Sequence, residues 1–210
     1  MRDYIYLWHQ PKVKRVVASG IEFRDVVPEL AGAGGVVLLR HQFDEPSFEP
    51  RNRFAFLSAD RLARLAADNI YGYGDFCWAD FGRDVALADL ADMAVAELTF
   101  FAHAARPLGA VDVPGLGNRF LYWGHDDGWY ARIFYSQWGA IAPMLDRMLS
   151  GMLNTERATA VSDLIRRGEA ALWCRDGTAV ECEQTEDIDA LQRKHLTRPR
   201  SGPPRQDAAR

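Results

Sequence analysis

Apolar residues along this chain fall into short runs separated by turn-forming residues. Residues 4–8 and 13–18 are two such runs, with Gln10 and Pro11 between them. Neither has helical spacing, so both are predicted strands. Residues 25–30 predict a short helix with Pro28 in its first turn. A glycine-rich turn at 31–35 leads to a strand over 36–39, and residues 43–52, with Pro46 and Pro50, read as a loop. A strand at 54–57 follows. Then comes a helix that Ser58 can cap, with Leu62, Leu65 and Ala66 as its apolar face. Residues 75–81 predict another strand.

The longest predicted helix covers about 85–105. Leu87, Leu90, Ala94, Leu98, Phe101 and Ala105 make its buried stripe, Asp89, Asp92, Ala96, Thr99 and His103 its outer side, and Arg106-Pro107 its stop. Two β-rich runs, 119–125 and 129–135, then flank Asp126-Asp127-Gly128, a hairpin signal because glycine tolerates the positive φ of a tight turn. With Asp127 and Gly128 as the loop, His125 faces Tyr130, Trp123 faces Arg132 and Leu121 faces Phe134. Both faces of this ribbon are apolar, so it should lie centrally or bind something on one face. A helix with Trp138, Ile141, Leu145, Met148, Leu149 and Met152 on one side, which Pro143 either starts or kinks, a shorter one marked by Val161, Leu164 and Ile165, a second hairpin about Asp176-Gly177 and a last helix over 186–195 capped by Thr185 complete the pattern. In that second hairpin's expected register Cys174 and Cys182 point to opposite faces. Together these elements predict an α+β fold with a mixed or mainly antiparallel sheet, two Asp-Gly hairpins and helices packed mainly on one face. Residues 1–196 should form one domain and 197–210 a disordered basic tail.

Composition narrows the functional classes. At 210 residues, 48% hydrophobic and 26% charged, the chain has an ordinary globular composition. Its three cysteines, Cys77, Cys174 and Cys182, are too few and too odd for a disulfide scaffold and suit a reducing compartment. No apolar run approaches a membrane span, and the opening run is too short for a signal peptide. The expected location is the cytoplasm, and the arginine- and alanine-rich usage suggests a high-GC, bacterial genome. Residues 193–210 carry six basic residues against one acid. Of a net charge of −4, the rest of the chain therefore holds −9, which argues against nucleic acid as a partner.

No complete catalytic or metal-binding motif is present. Gly32-Ala33-Gly34-Gly35 follows a helix and opens a strand, the reverse of a phosphate loop. Ser19-Gly20 lacks the surrounding glycines of a nucleophile elbow, and Ser19 with Glu22 suits a capping box. No cofactor is implied. A metal site would require His9, His41 and His125 to converge with Asp75 or Asp126, and none is expected. Cys77 beside Asp75 sits in the wrong field for a reactive thiolate, which favours a buried structural role.

The stronger signal is aromatic. More than half of the Phe, Trp and Tyr residues fall within 71–81 and 120–138, interspersed with Asp75, Asp80, Asp126 and Asp127. Such a mixture makes either a large aromatic core or a surface for sugars, bases, cations or arginine-rich partners. Two functional expectations follow. The first is a small binding or regulatory protein whose surface (Tyr73, Trp78, Trp123, Trp129, Tyr130 and Asp127) engages a protein, a basic one in an immunity-type pair. The second is a small-molecule hydrolase or transferase, with His125 as general base, Asp75 or Asp126 orienting it and Cys77 as a further catalytic candidate.

Overall fold

The computed structural model describes residues 4–39, 54–67, 76–85, 90–125, 129–174 and 179–195. Nine strands form one sheet: β1 (Tyr4–Gln10), β2 (Arg15–Ser19), β3 (Gly35–Leu39), β4 (Phe54–Ser58), β5 (Phe76–Phe81), β6 (Phe120–His125), β7 (Tyr130–Tyr135), β8 (Ala170–Cys174) and β9 (Ala179–Glu181). Their order is β4-β3-β5-β6-β7-β2-β1-β8-β9, and every neighbouring pair is antiparallel. The β6–β7 hairpin therefore lies inside the sheet, as its two apolar faces require.

One face carries α1 (Phe23–Val26), α2 (Leu62–Ala67), α4 (Trp138–Met152) and α5 (Thr155–Arg166). Here Ile5, Leu7, Val16, Val36, Trp78, Tyr122 and Ile133 pack with Phe23, Leu62, Ile141, Leu145 and Ile165. The opposite face is covered in two places. At β3, β5, β6 and β7, α3 (Asp92–Ala104) and the chain that follows it bring Leu98, Phe101, Val111 and Leu116 against Val37, Ala79, Leu121 and Phe134. At β1, β2 and β8, α6 (Ile188–His195) brings Ile188 and Leu191 against Tyr6, Val17 and Leu172. Between these two covers, Arg15 of β2 and Arg132 of β7 reach across a strip of the sheet to Glu186.

Several ends differ from the sequence reading, each for a local reason. Leu90 is buried ahead of α3 rather than within it, because the helix starts only after the extended Ala91. The capping box of α1 uses Glu22 and Asp25, which leaves Ser19 to other work. Ser58 stands at a helix start without a side-chain capping bond. The last helix is capped by Asp187, whose Oδ1 accepts from the Ala190 amide at 2.8 Å. Thr185 sits two residues earlier, accepting from the Asp187 amide at 2.9 Å. In the β8–β9 hairpin Ala171 pairs with Glu181, one residue away from the two-residue-loop register. A one-residue slip turns every side-chain direction over. The direction of the Cys174 side chain lies outside what is described, so the opposite-face expectation for Cys174 and Cys182 is left there.

The first hairpin has the expected register throughout: Leu121 opposite Phe134, Trp123 opposite Arg132, His125 opposite Tyr130. Its start is locked by Asp80, which is 1% exposed. The Asp80 carboxylate accepts from the Arg119 amide (2.8 Å), the Phe120 amide (2.7 Å) and Arg119 Nε (2.9 Å). Burial pushes this carboxyl up against the pull of those donors. Arg119 also reaches the Glu29 carbonyl, and the Glu29 carboxylate pairs with Arg147 of α4. The network ties β5, β6, the 27–30 turn and α4 together. No helix among the described residues is long and apolar enough to cross a membrane.

Candidate recognition surface

The predicted site residues separate sharply by burial. Trp78 is 0% exposed, stacked on Tyr122 at 5.3 Å and 12° and edge-on to Phe23 at 5.5 Å. It belongs to the core, and its indole is out of reach of any partner. Cys77 is buried on the other face among Val37, Leu39 and Leu98, a packing position for its thiol. Tyr73, Asp75, Asp126 and Asp127 lie outside the described residues. Trp123, His125, Trp129 and Tyr130 remain, and these four gather at the turn end of the β6–β7 hairpin. His125 is exposed and stacks parallel to Trp123 (6.0 Å, 5°). Tyr130 meets Trp123 edge-on at 5.6 Å. Trp129 is 38% exposed.

This end is held from beneath by residues with no obvious sequence signature. Ser19 Oγ donates to the Trp129 carbonyl and lies 2.8 Å from Tyr4 Oη, which in turn accepts from Gln192 of α6 at 2.6 Å. Gly20 next to it has φ +78°, and a Cβ there would meet the Tyr4 carbonyl oxygen at 2.4 Å. The Ser-Gly pair is thus a turn that pins the hairpin, with the Ser19 hydroxyl held between the Trp129 carbonyl and Tyr4.

Glu186 is the central carboxylate of the strip between the two covers. Tyr6 fixes its approach: the phenol accepts from the Thr185 amide at 2.9 Å and donates to the Thr185 carbonyl at 3.0 Å. From that anchor Glu186 accepts from Tyr130 Oη (2.5 Å) and Arg132 Nη2 (2.8 Å), and it also pairs with Arg15. Arg132 Nε donates to Tyr130 Oη at 2.8 Å, and its guanidinium lies 5.4 Å from the Trp123 ring centroid. The anticipated Trp123–Arg132 cation–π pair is therefore one part of a larger network. Burial opposes charge on Glu186, yet the Tyr130 and Arg132 hydrogen bonds and the arginine charges hold it below the usual carboxylate range. Burial and the bond to Glu186 push Tyr130 up to about 12. Two arginines satisfying one carboxylate leave no spare base here. The arrangement holds the Trp123 and Tyr130 rings in place.

The histidines do not converge. His9 is buried on the opposite face from His125 and at the other end of the sheet. It lies 2.8 Å from the Ile165 carbonyl, 2.5 Å from Tyr135 Oη and stacks on Trp138 at 4.2 Å. Nδ1–H donates to the carbonyl, so a neutral ring accepts from Tyr135 through Nε2. Among the described residues no group of three His, Cys, Asp or Glu residues is placed to hold a metal ion.

Burial lowers the His9 pKa from 6.5. The unfolded chain therefore binds this proton more readily than the folded one. His9 favours folding above pH 6.5, and that stability is lost as pH falls from there toward the folded pKa. Urea melts at pH 7.5 and 5.5 should show a lower midpoint at the acid value. A His9→Phe variant should show a smaller difference, whereas an equal pH dependence in both proteins would contradict this account.

A cavity of about 530 Å³ opens on the face that carries Trp123, at the other end of β7, between the β1–β2 connection and residues 106–112. Comparison of the chain with protein-family models, with curated proteins and with solved structures finds no match in any of the three.

Proposed function

We propose that this chain is a small binding or regulatory protein that engages a basic partner through the turn end of the β6–β7 hairpin. The observation that carries this reading is the exposure of Trp129 and His125 at one end of the β6–β7 hairpin, with His125 stacked on Trp123 and the Trp129 carbonyl held by Ser19. Aromatic rings already fixed in place lose little entropy on binding and supply most of the energy of many interfaces. Arginine side chains of a partner can stack on such rings. The −9 charge outside the terminal 193–210 segment would draw a cationic partner in. Asp126 and Asp127 would add carboxylates at the same turn on the strength of sequence alone. Sparse, odd-numbered cysteines support a reducing, cytoplasmic setting. The enzyme reading needs Asp75 or Asp126 to orient His125, and no observation among the described residues favours it.

A nona-arginine peptide serves as a minimal cationic partner. Titrated at low salt, it should change tryptophan emission saturably, with weaker binding as salt screens the charges. No change in emission at low salt would contradict the reading.

A further inference from the structure

We infer that the cavity between the β1–β2 connection and residues 106–112 binds a small organic phosphate. Lys12, Lys14, Arg15 and Arg106 line it, against one acid, Asp112. Four cations in one hollow of a net-negative protein are a local concentration that overall charge hides. Arg15 is committed to Glu186 and to Gln10, 2.7 Å from its Nε. Lys12, Lys14 and Arg106 have no carboxylate within ion-pair distance among the described residues. Three uncompensated cations around one opening call for more than one negative charge. A phosphate monoester carries that near neutral pH, and a single carboxylate does not.

The backbone is shaped for this site as well. Two non-glycine residues among those described have left-handed backbone: Lys14 (φ 49°) and Ala105 (φ 51°). One lines the cavity, and the other turns the chain at the end of α3 so that Arg106 does. Both are helix C-caps, where a left-handed residue commonly ends the helix, and here the two turns bring Lys14 and Arg106 to one opening. The Lys14 ammonium also donates to the Ser136 carbonyl at 3.0 Å, which steadies it at the rim.

The remaining wall sets the rest of the ligand. Phe134, with Arg15 5.8 Å from its ring centroid, and Val13, Pro107 and Val111 give an apolar side. The volume lies within the range of roughly 300–1,000 Å³ common for small-molecule sites. A phosphate on a planar or apolar body would place its charge at Lys12, Lys14 and Arg106 and its body against that wall. Asp112 can accept a hydroxyl or amino hydrogen. This site lies at the opposite end of β7 from the aromatic turn, and the inference does not depend on the function proposed there.

Adenosine monophosphate and adenosine are suitable probes, because they differ only in the phosphate. Calorimetric titration of the whole chain should show saturable binding of the monophosphate, and adenosine should bind at least about tenfold more weakly. Arg106→Ala and Lys12→Ala change exposed side chains, so their melting temperatures should match the wild type. Each should weaken the monophosphate about tenfold or more. Equal binding of the two probes, no binding of either, or undiminished affinity in both variants would overturn the inference.

Discussion

Replacing Asp80 with alanine is expected to destabilise the fold by about 3 kcal/mol or more, since each buried donor left without an acceptor costs roughly 1–3 kcal/mol. The carboxylate accepts from two backbone amides at the entry of β6 and from the Arg119 side chain. Removing it strands both amides beneath the sheet. Arg119 is partly exposed and regains water, so most of the loss comes from the amides. Asp80→Asn keeps one acceptor oxygen and should cost less than the alanine. Chemical denaturation checks both. An alanine variant as stable as the wild type would show that the start of the central hairpin is not held in this way.

Trp78→Ala should cost a similar amount, about 3–5 kcal/mol, the usual range for deleting a large buried aromatic side chain. Trp78 sits between Tyr122 and Phe23 with no exposed surface. Its Nε1 is buried without a hydrogen-bond partner among the described residues. Trp78→Phe therefore discards an unsatisfied donor along with some packing, and should cost only about 1–2 kcal/mol. Equal losses for the two variants would mean that the indole nitrogen is satisfied in solution and that ring size alone matters.

Trp78 also shows where sequence reasoning stopped. Its aromatic neighbours suggest either a core or a surface, and composition cannot choose between them. The choice follows from which strand is central, and that depends on pairings between segments far apart in the chain. The Asp-Gly turn gave a local handle on β6–β7, so that register was legible to the residue. The β8–β9 strands flank the same dipeptide, yet they pair one residue away from the two-residue-loop register, so the dipeptide alone does not fix the pairing. Glu186 looked like the first acid of a helix. The chain starts the helix two residues later, and the freed carboxylate reaches Arg15 and Arg132, distant in sequence but adjacent across the sheet. A clue to the cationic cavity did exist in composition: Lys12 and Lys14 are two of only three lysines, both in the β1–β2 connection. Arg106 joins them only through the tertiary path of the chain after α3.

The central functional claim is that the exposed aromatic turn contributes affinity and not stability. The measurement that tests it most directly compares wild type with Trp129→Ala, reading nona-arginine affinity by calorimetry and melting temperature on the same samples. The account predicts about tenfold or greater loss of affinity, the scale of an interface anchor, at an unchanged melting temperature. Undiminished affinity in a variant that melts normally would contradict it.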